Sequence, residues 1–111
     1  MRDKVLVILS TSEKEKLLTG LLYATNCLRH EWMREVRVVV FGPSQRVAVE
    51  DEEVQSYLRL LVDSRSVPLA CKYLADQMGL TTSLDEMGMD VVYVGSVVSR
   101  LIQEGFVPLV F

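Results

Sequence analysis

The sequence Val5-Leu6-Val7-Ile8-Leu9-Ser10-Thr11-Ser12 decides the fold class, because it joins a strand to the start of a helix. Its first five residues form a continuous apolar run rich in β-branched side chains, which is typical of a strand buried on both faces of a parallel sheet. The three hydroxyl residues that follow are favoured helix caps, and Glu13 and Glu15 are expected in the first helical turn. Leucines then recur at helical spacing, so we expect this helix to end near residues 30–32.

Strand and helix patterns alternate along the rest of the chain, with residues 47–49 ambiguous. Pro68 should lie at the start of its strand and Pro108 at a sheet edge, because proline cannot donate a ladder hydrogen bond. The alternation predicts right-handed crossovers and a three-layer α/β/α Rossmann-like domain with a mostly parallel five-stranded sheet. Further strands are predicted at residues 36–41, 67–70, 91–94 and 107–111, and further helices after Asp51 and at 71–78, 81–87 and 97–103.

The composition describes an ordinary globular domain and excludes several classes of function. The chain has 111 residues, half of them apolar and 24% charged, which suits a single domain over residues 1–111. A net charge of −3 with no basic block argues against nucleic acid as a partner. The apolar run at residues 5–9 is too short for a signal peptide or a membrane span, so we expect a cytoplasmic protein without membrane contact. The mean hydropathy of +0.24 predicts apolar association surfaces and hence a homo-oligomer.

The loops after the carboxyl ends of parallel strands form the crevice that binds ligands, so the site is expected at this rim of the sheet. Three of the four strand-to-helix junctions lead almost directly into helix N-termini, where free N–H groups and the helix dipole favour negative charge. The candidate binding residues at these junctions are Ser10, Thr11, Gly42, Pro43, Gly95 and Ser96.

Cys71 is the one strong nucleophile on the predicted rim. A thiolate is the reactive form of cysteine, and the dipole at the start of a helix stabilises a thiolate or a persulfide anion. The alternative is that Cys71 is a small buried hydrophobe at the end of a core strand, because free cysteines are often buried. Position alone does not choose between the two interpretations.

The remaining chemistry-bearing residues predict no second site. Cys27 lies inside the first helix, away from either terminus, and is interpreted as packing; both thiols are expected to be free. His30 falls at a helix C-terminus, where a capping or surface role is expected. One histidine and two cysteines cannot form a structural zinc site in one chain, and no phosphate-binding or dinucleotide-binding glycine motif occurs. We therefore expect neither a metal nor a cofactor.

Three segments of the sequence resemble the DsrE/DsrF-like family. Val67-Pro68-Leu69-Ala70-Cys71-Lys72-Tyr73-Leu74, followed by Met78-Gly79-Leu80, is similar to the segment around the family cysteine. Residues 38–43 resemble the family's second strand and the loop after it. Residues 90–96 and 101–106 resemble its C-terminal strand, helix and glycine-aromatic ending. The resemblance covers nearly the whole chain and implies one DsrE/DsrF-like domain over residues 1–111 that forms trimers or hexamers.

In the sulfur-relay members of that family, a cysteine at this position carries persulfide sulfur between proteins. The resemblance therefore implies a sulfur carrier or sulfurtransferase subunit that accepts and passes on sulfur at Cys71, with sulfur donor and acceptor proteins as partners. Pro68 departs from the family pattern and is expected to shift the depth of the cysteine. Two alternatives stay open: a non-catalytic module that binds a small anion or a nucleotide, and a structural subunit of an oligomer.

Overall fold

The structure of the protein is a computed structural model that describes residues 2–111. Its strands are β1 (Lys4–Leu9), β2 (Glu35–Val40), β3 (Leu69–Cys71), β4 (Asp90–Val92) and β5 (Val107–Val110). Its helices are α1 (Lys14–Arg29), α2 (Ser44–Glu50), α3 (Glu52–Val62), α4 (Lys72–Met78), α5 (Thr81–Glu86) and α6 (Val94–Gln103). No helix among the described residues is long and apolar enough to cross a membrane.

The five strands form one sheet in the order β4-β3-β2-β1-β5, and every neighbouring pair is parallel. The predicted three-layer α/β/α Rossmann-like fold is therefore confirmed, with a sheet that is parallel throughout. β1 lies between β2 and β5, and its side chains pack alternately into the helical layers on the two faces, which explains why its sequence is apolar at successive positions. β5 is an edge strand, as Pro108 predicts.

The two helical layers are unequal because the chain moves in one direction from β1 to β4. Right-handed crossovers place every helix of such a run on the same face of the sheet. We call this face the first layer, and α1 and α3 supply most of its core, with smaller contributions from α2, α4 and α5. The connection from β4 back to β5 runs in the opposite direction, so α6 alone covers the other face, which we call the second layer.

The second layer leaves part of the sheet open. α6 begins beyond the carboxyl end of β4 at one edge and ends before the amino end of β5 at the other edge. The carboxyl halves of the strands near β5 therefore lie outside its cover. Ile8 and Phe41 remain only partly buried there, and Val110 is 64% exposed.

Several predicted boundaries were wrong by a few residues. α1 begins at Lys14 with Glu13 at its N-cap, so the run Ser10-Thr11-Ser12 belongs to the preceding loop. α6 begins at Val94 rather than at residue 97, because the apolar residues assigned to the end of the fourth strand already contact the sheet as helix. The ambiguous residues 47–49 belong to α2.

The start of α3 agrees with the sequence. Asp51 is its N-cap, and the side chain accepts a hydrogen bond of 3.0 Å from the N–H of Val54. This bond, together with the Lys14 ammonium, lowers the pKa of Asp51, which keeps the cap ionised in neutral solution. Lys14 opens α1, so the pair also joins the first turns of the two main helices of the first layer.

Candidate functional site

The topology selects one position on the carboxyl rim. β3 and β4 are neighbours, yet the chain leaves them toward opposite faces of the sheet. After β3 it enters α4, where Ala75 packs in the first layer, and after β4 it enters α6, where Val94 packs in the second layer. Adjacent strands with connections to opposite faces define the switch point at which open α/β sheets bind ligands. The switch point therefore lies between β3 and β4.

Cys71 is located at this switch point. It is the last residue of β3, pairs with Val92 of β4, and is the N-cap of α4 rather than part of its first turn. Its side chain faces the second layer, where it packs with buried residues that include Leu69 and Val94. The residue is buried but retains 6% of its surface, whereas Cys27 retains none. The thiol thus lies at the border between the apolar layer and the rim.

The open part of the sheet adjoins Cys71. Val40 pairs with Ala70, so Phe41 follows at the level of Cys71 on the same face. Phe41 is partly buried and packs against the same cluster as Cys71. Cys71 and Phe41 therefore lie side by side on the second-layer face of the rim.

The junction after β1 is occupied by the chain itself. The N–H groups of Ser10 and Thr11 both donate to the carbonyl oxygen of Phe111, at 2.8 and 3.3 Å. The hydroxyl of Thr11 accepts the N–H of Glu13 at 3.0 Å. Two of the predicted binding residues therefore have their backbone donors engaged in holding β5 against β1.

The junction after β2 is also occupied. Gly42 has a φ of +100°, a conformation that favours glycine, and its N–H donates to Oε1 of Gln45 at 3.0 Å. Pro43 is exposed at the start of α2 and has no N–H to offer a ligand. This junction is a turn that places the side chain of Gln45 in the interior.

Gly95 and Ser96 lie near Cys71, but in a different role from the predicted one. Both are exposed residues of the first turn of α6, and the N-cap of that helix is Tyr93. The hydroxyl of Ser96 donates to the carbonyl oxygen of Tyr93 at 3.4 Å. The first N–H groups of a helix have no partner within it, so this turn presents donors to the rim.

Aromatic and charged side chains surround the start of α4 and α6. Tyr73 and Tyr93 are 59% and 62% exposed. Lys72 donates to the carboxylate of Asp76 at 3.1 Å. That carboxylate raises the pKa of Lys72, so the two side chains form an ion pair at the rim.

The other residues considered in the sequence lie away from the rim. Cys27 packs in the first layer, and the exposed His30 is the C-cap of α1, stacked on Trp32. Within residues 2–111, no group of three or more His, Cys, Asp or Glu side chains could hold a metal ion. Three surface cavities of about 280, 160 and 260 Å³ include no junction residue in their lining.

Sequence reasoning missed the buried polar residues that organise the rim. Ser44 and Gln45 are fully buried. The hydroxyl of Ser44 donates to the carbonyl oxygen of Leu9. Nε2 of Gln45 donates to the carbonyl oxygen of Cys71. Together they join the ends of β1 and β3 to α2. Polar residues in a short helix are usually exposed, so no local pattern could have revealed them.

The fold and the rim define the chain as a Rossmann-like α/β protein with a cysteine at its topological switch point. The fold is similar to that of a conserved protein of unknown function, BT1422 from Bacteroides thetaiotaomicron, with a TM-score of 0.90 and 21% identity over 98% of this chain and 95% of that one. It is also similar to MTH1491, a protein of unknown function from Methanobacterium thermoautotrophicum, with a TM-score of 0.75 and 22% identity over 97% and 98% of the two chains. No protein-family model and no curated protein matches the chain.

Proposed function

We propose that this protein is a cytoplasmic sulfur carrier or sulfurtransferase subunit that holds persulfide sulfur on Cys71. The observation that carries the proposal is the position of Cys71 at the switch point between β3 and β4, as the N-cap of α4. The resemblance to DsrE/DsrF-like proteins in sequence points to the same residue. Both cysteines are free thiols, which suits a reducing compartment.

The proposed transfer is a thiol exchange that needs no cofactor. The Cys71 thiolate attacks the outer sulfur of a donor persulfide, the donor S–S bond breaks, and the donor leaves as a thiolate while Cys71 becomes a persulfide. An acceptor thiolate then attacks the outer sulfur of that persulfide, and Cys71 leaves as a thiolate. Each step forms one bond to sulfur and breaks one, so no oxidant or reductant is consumed.

The surroundings of Cys71 support an anionic sulfur there. The thiol lies at the start of α4 and beside the first turn of α6, so the positive ends of two helix dipoles meet at the rim. The exposed Tyr73 and Tyr93 suit docking of a protein donor or acceptor, because tyrosine is enriched at protein interfaces.

The test compares the two cysteines of the same folded chain. Incubation with a low-molecular-weight persulfide should add sulfur to Cys71, detected by intact mass and peptide mapping. Alkylation of Cys71 should be faster than that of Cys27 by on the order of tenfold or more, because Cys27 reacts only when α1 opens.

The variants Cys71→Ser and Cys27→Ser complete this experiment. Sulfur uptake should vanish in the first and persist in the second. Equal and slow reaction of both cysteines in the wild type, with no sulfur uptake, would overturn the proposal. The binding-module alternative predicts instead that phosphate or a nucleotide raises the melting temperature equally in the wild type and in Cys71→Ser, with no sulfur uptake.

The second layer supports assembly as a homo-oligomer, which we propose to be the trimer or hexamer that the family resemblance implies. Ile8 pairs with Val110 across β1 and β5, and Ile102 and Pro108 line one shallow cavity. The open apolar surface consists of Ile8, Phe41, Val98, Ile102, Pro108 and Val110. All six are apolar, Arg2 also lines the cavity beside Pro108, and exposed apolar surface usually marks association sites.

Light scattering after size exclusion should give a mass above that of one 12.6 kDa chain. Val110→Lys, in the open apolar surface, should shift the protein toward the monomer because it buries a charge at the interface. Leu60→Lys is the matched control, since Leu60 is 56% exposed on α3 and faces the first-layer side. A monomeric wild type, or equal effects of the two variants, would contradict assembly through this surface.

A further inference from the structure

We propose that Gln45 is a positioning residue for Cys71, fixing the backbone from which the thiol projects. This inference rests on the proposed function of Cys71. It starts from an unusual feature of α2: Gln45 has none of its surface exposed although it carries an amide side chain. Burial of an amide is unfavourable unless both of its polar ends are hydrogen-bonded, so the contacts of Gln45 decide what it does.

Both ends of the Gln45 amide are engaged. Oε1 accepts the N–H of Gly42 at 3.0 Å, and Nε2 donates to the carbonyl oxygen of Cys71 at 3.1 Å. The backbone N–H of Gln45 also donates to the carbonyl oxygen of Gly42 at 3.0 Å. A single side chain thus connects the turn after β2 to the end of β3, and its far end reaches the residue proposed to carry sulfur.

The bond to Cys71 acts on the start of α4. As the N-cap, Cys71 already uses its carbonyl oxygen for the first hydrogen bond of that helix, and Gln45 supplies a second donor to the same oxygen. In a planar trans peptide, the N–H of Lys72 points away from that carbonyl. Holding the carbonyl therefore fixes the direction of a first-turn N–H group, which is one source of the positive potential at the helix start.

The same bond fixes the peptide that follows the thiol-bearing residue. Cys71 has backbone angles of φ −78° and ψ 112°, which turn its side chain toward the second layer while the chain enters α4. Without Gln45, the peptide between Cys71 and Lys72 is freer to rotate about its flanking Cα atoms, which would move the N–H of Lys72 relative to the sulfur. Gln45 touches neither the sulfur nor a substrate, so its effect on chemistry passes through Cys71.

Ser44 offers a matched control for a purely structural role. It is equally buried, lies next to Gln45 in α2, and donates its hydroxyl to the carbonyl oxygen of Leu9 at the end of β1. Ser44→Ala therefore removes a buried hydrogen bond of the same rim without touching β3. Gln45→Met keeps most of the side-chain volume but loses both hydrogen bonds, and Gln45→Asn keeps an amide that is too short for both partners.

The test measures the midpoint pH of Cys71 alkylation. This midpoint depends on the fraction of thiolate at each pH, whereas a change in access to the thiol alters only the rate. Gln45→Met and Gln45→Asn should raise this midpoint by about 0.2 to 0.7 pH unit, the equivalent of a helix-dipole interaction. Ser44→Ala should leave it at the wild-type value although it lowers the melting temperature. The alkylation rate of Cys27 in the same samples monitors global opening of each variant.

The outcomes separate this inference from the function on which it rests. If wild-type Cys71 accepts sulfur but the Gln45 variants and Ser44→Ala share its midpoint pH, then Gln45 is only structural and the inference is overturned. If wild-type Cys71 accepts no sulfur, the proposed function fails first. If one Gln45 variant does not fold, the other gives the same reading, because either change breaks the bond to Cys71.

Discussion

Leu61→Ala is expected to lower the free energy of unfolding by about 3 to 5 kcal/mol. Leu61 has no exposed surface and packs from α3 into the first layer, where α1 and α3 form most of the core. Removing its side chain loses the transfer free energy of the deleted carbons and leaves a cavity that the surrounding strands and helices cannot fully close. A domain of this size is stabilised by roughly 5 to 15 kcal/mol, so the loss is a large share of the total.

The control for this prediction is the preceding residue. Leu60 is in the same helix but 56% exposed, so Leu60→Ala should change the free energy of unfolding by within about 0.5 kcal/mol. Urea denaturation measures the free energy of unfolding of both variants. If the slope of that free energy against urea concentration equals the wild-type slope, only stability has changed. A loss below about 1 kcal/mol for Leu61→Ala would mean that the first layer is not the main core.

Gly20→Ala is expected to destabilise the protein by about 1 to 3 kcal/mol, although alanine is the better helix former. A Cβ at Gly20 would lie 2.5 Å from Cδ2 of Leu9 and 2.8 Å from Cγ of Phe111. Leu9 has no exposed surface, so it has little room to move. This steric cost should exceed the roughly 1 kcal/mol by which alanine is more favourable than glycine within a helix.

Gly95→Ala makes the same substitution where nothing lies within 4 Å of the new Cβ. Gly95 is in α6, so this variant should be as stable as the wild type or more stable by up to about 1 kcal/mol. Thermal and urea denaturation of the two variants should therefore give changes of opposite sign. A stabilising Gly20→Ala would show that Leu9 and Phe111 can move aside at little cost, against the close packing derived for them.

The class of fold was predictable because burial acts on each strand locally. The residues of β1 are apolar at successive positions since both faces of that strand are covered over most of its length, and Pro108 marks β5 as an edge strand. Asp51 was correctly predicted to open a helix, because an N-cap needs only its own side chain and the N–H three residues later.

The site was predictable in part. Cys71 was correctly placed at a strand-to-helix junction of the carboxyl rim, although it is the last residue of the strand and not, as predicted, in the first turn of the helix. The roles of the other rim residues depended on distant partners. Ser10 and Thr11 contact Phe111, which is about a hundred positions away in the chain. Ser96 lies inside α6 rather than before it, because Val94 already packs as helix against the sheet. Such competition between local preference and packing is invisible in a sequence pattern.

The sequence by itself determined the succession of strands and helices, because hydrophobic periodicity and capping are interactions among neighbours along the chain. Only the tertiary structure decided the strand order, which places the switch point between β3 and β4 and leaves α6 alone on one face. It also decided which rim groups remain free and which are held by Gln45 and Phe111. The physical reason is that hydrogen bonds and packing between distant segments depend on where the whole sheet brings them, a position that no local pattern encodes.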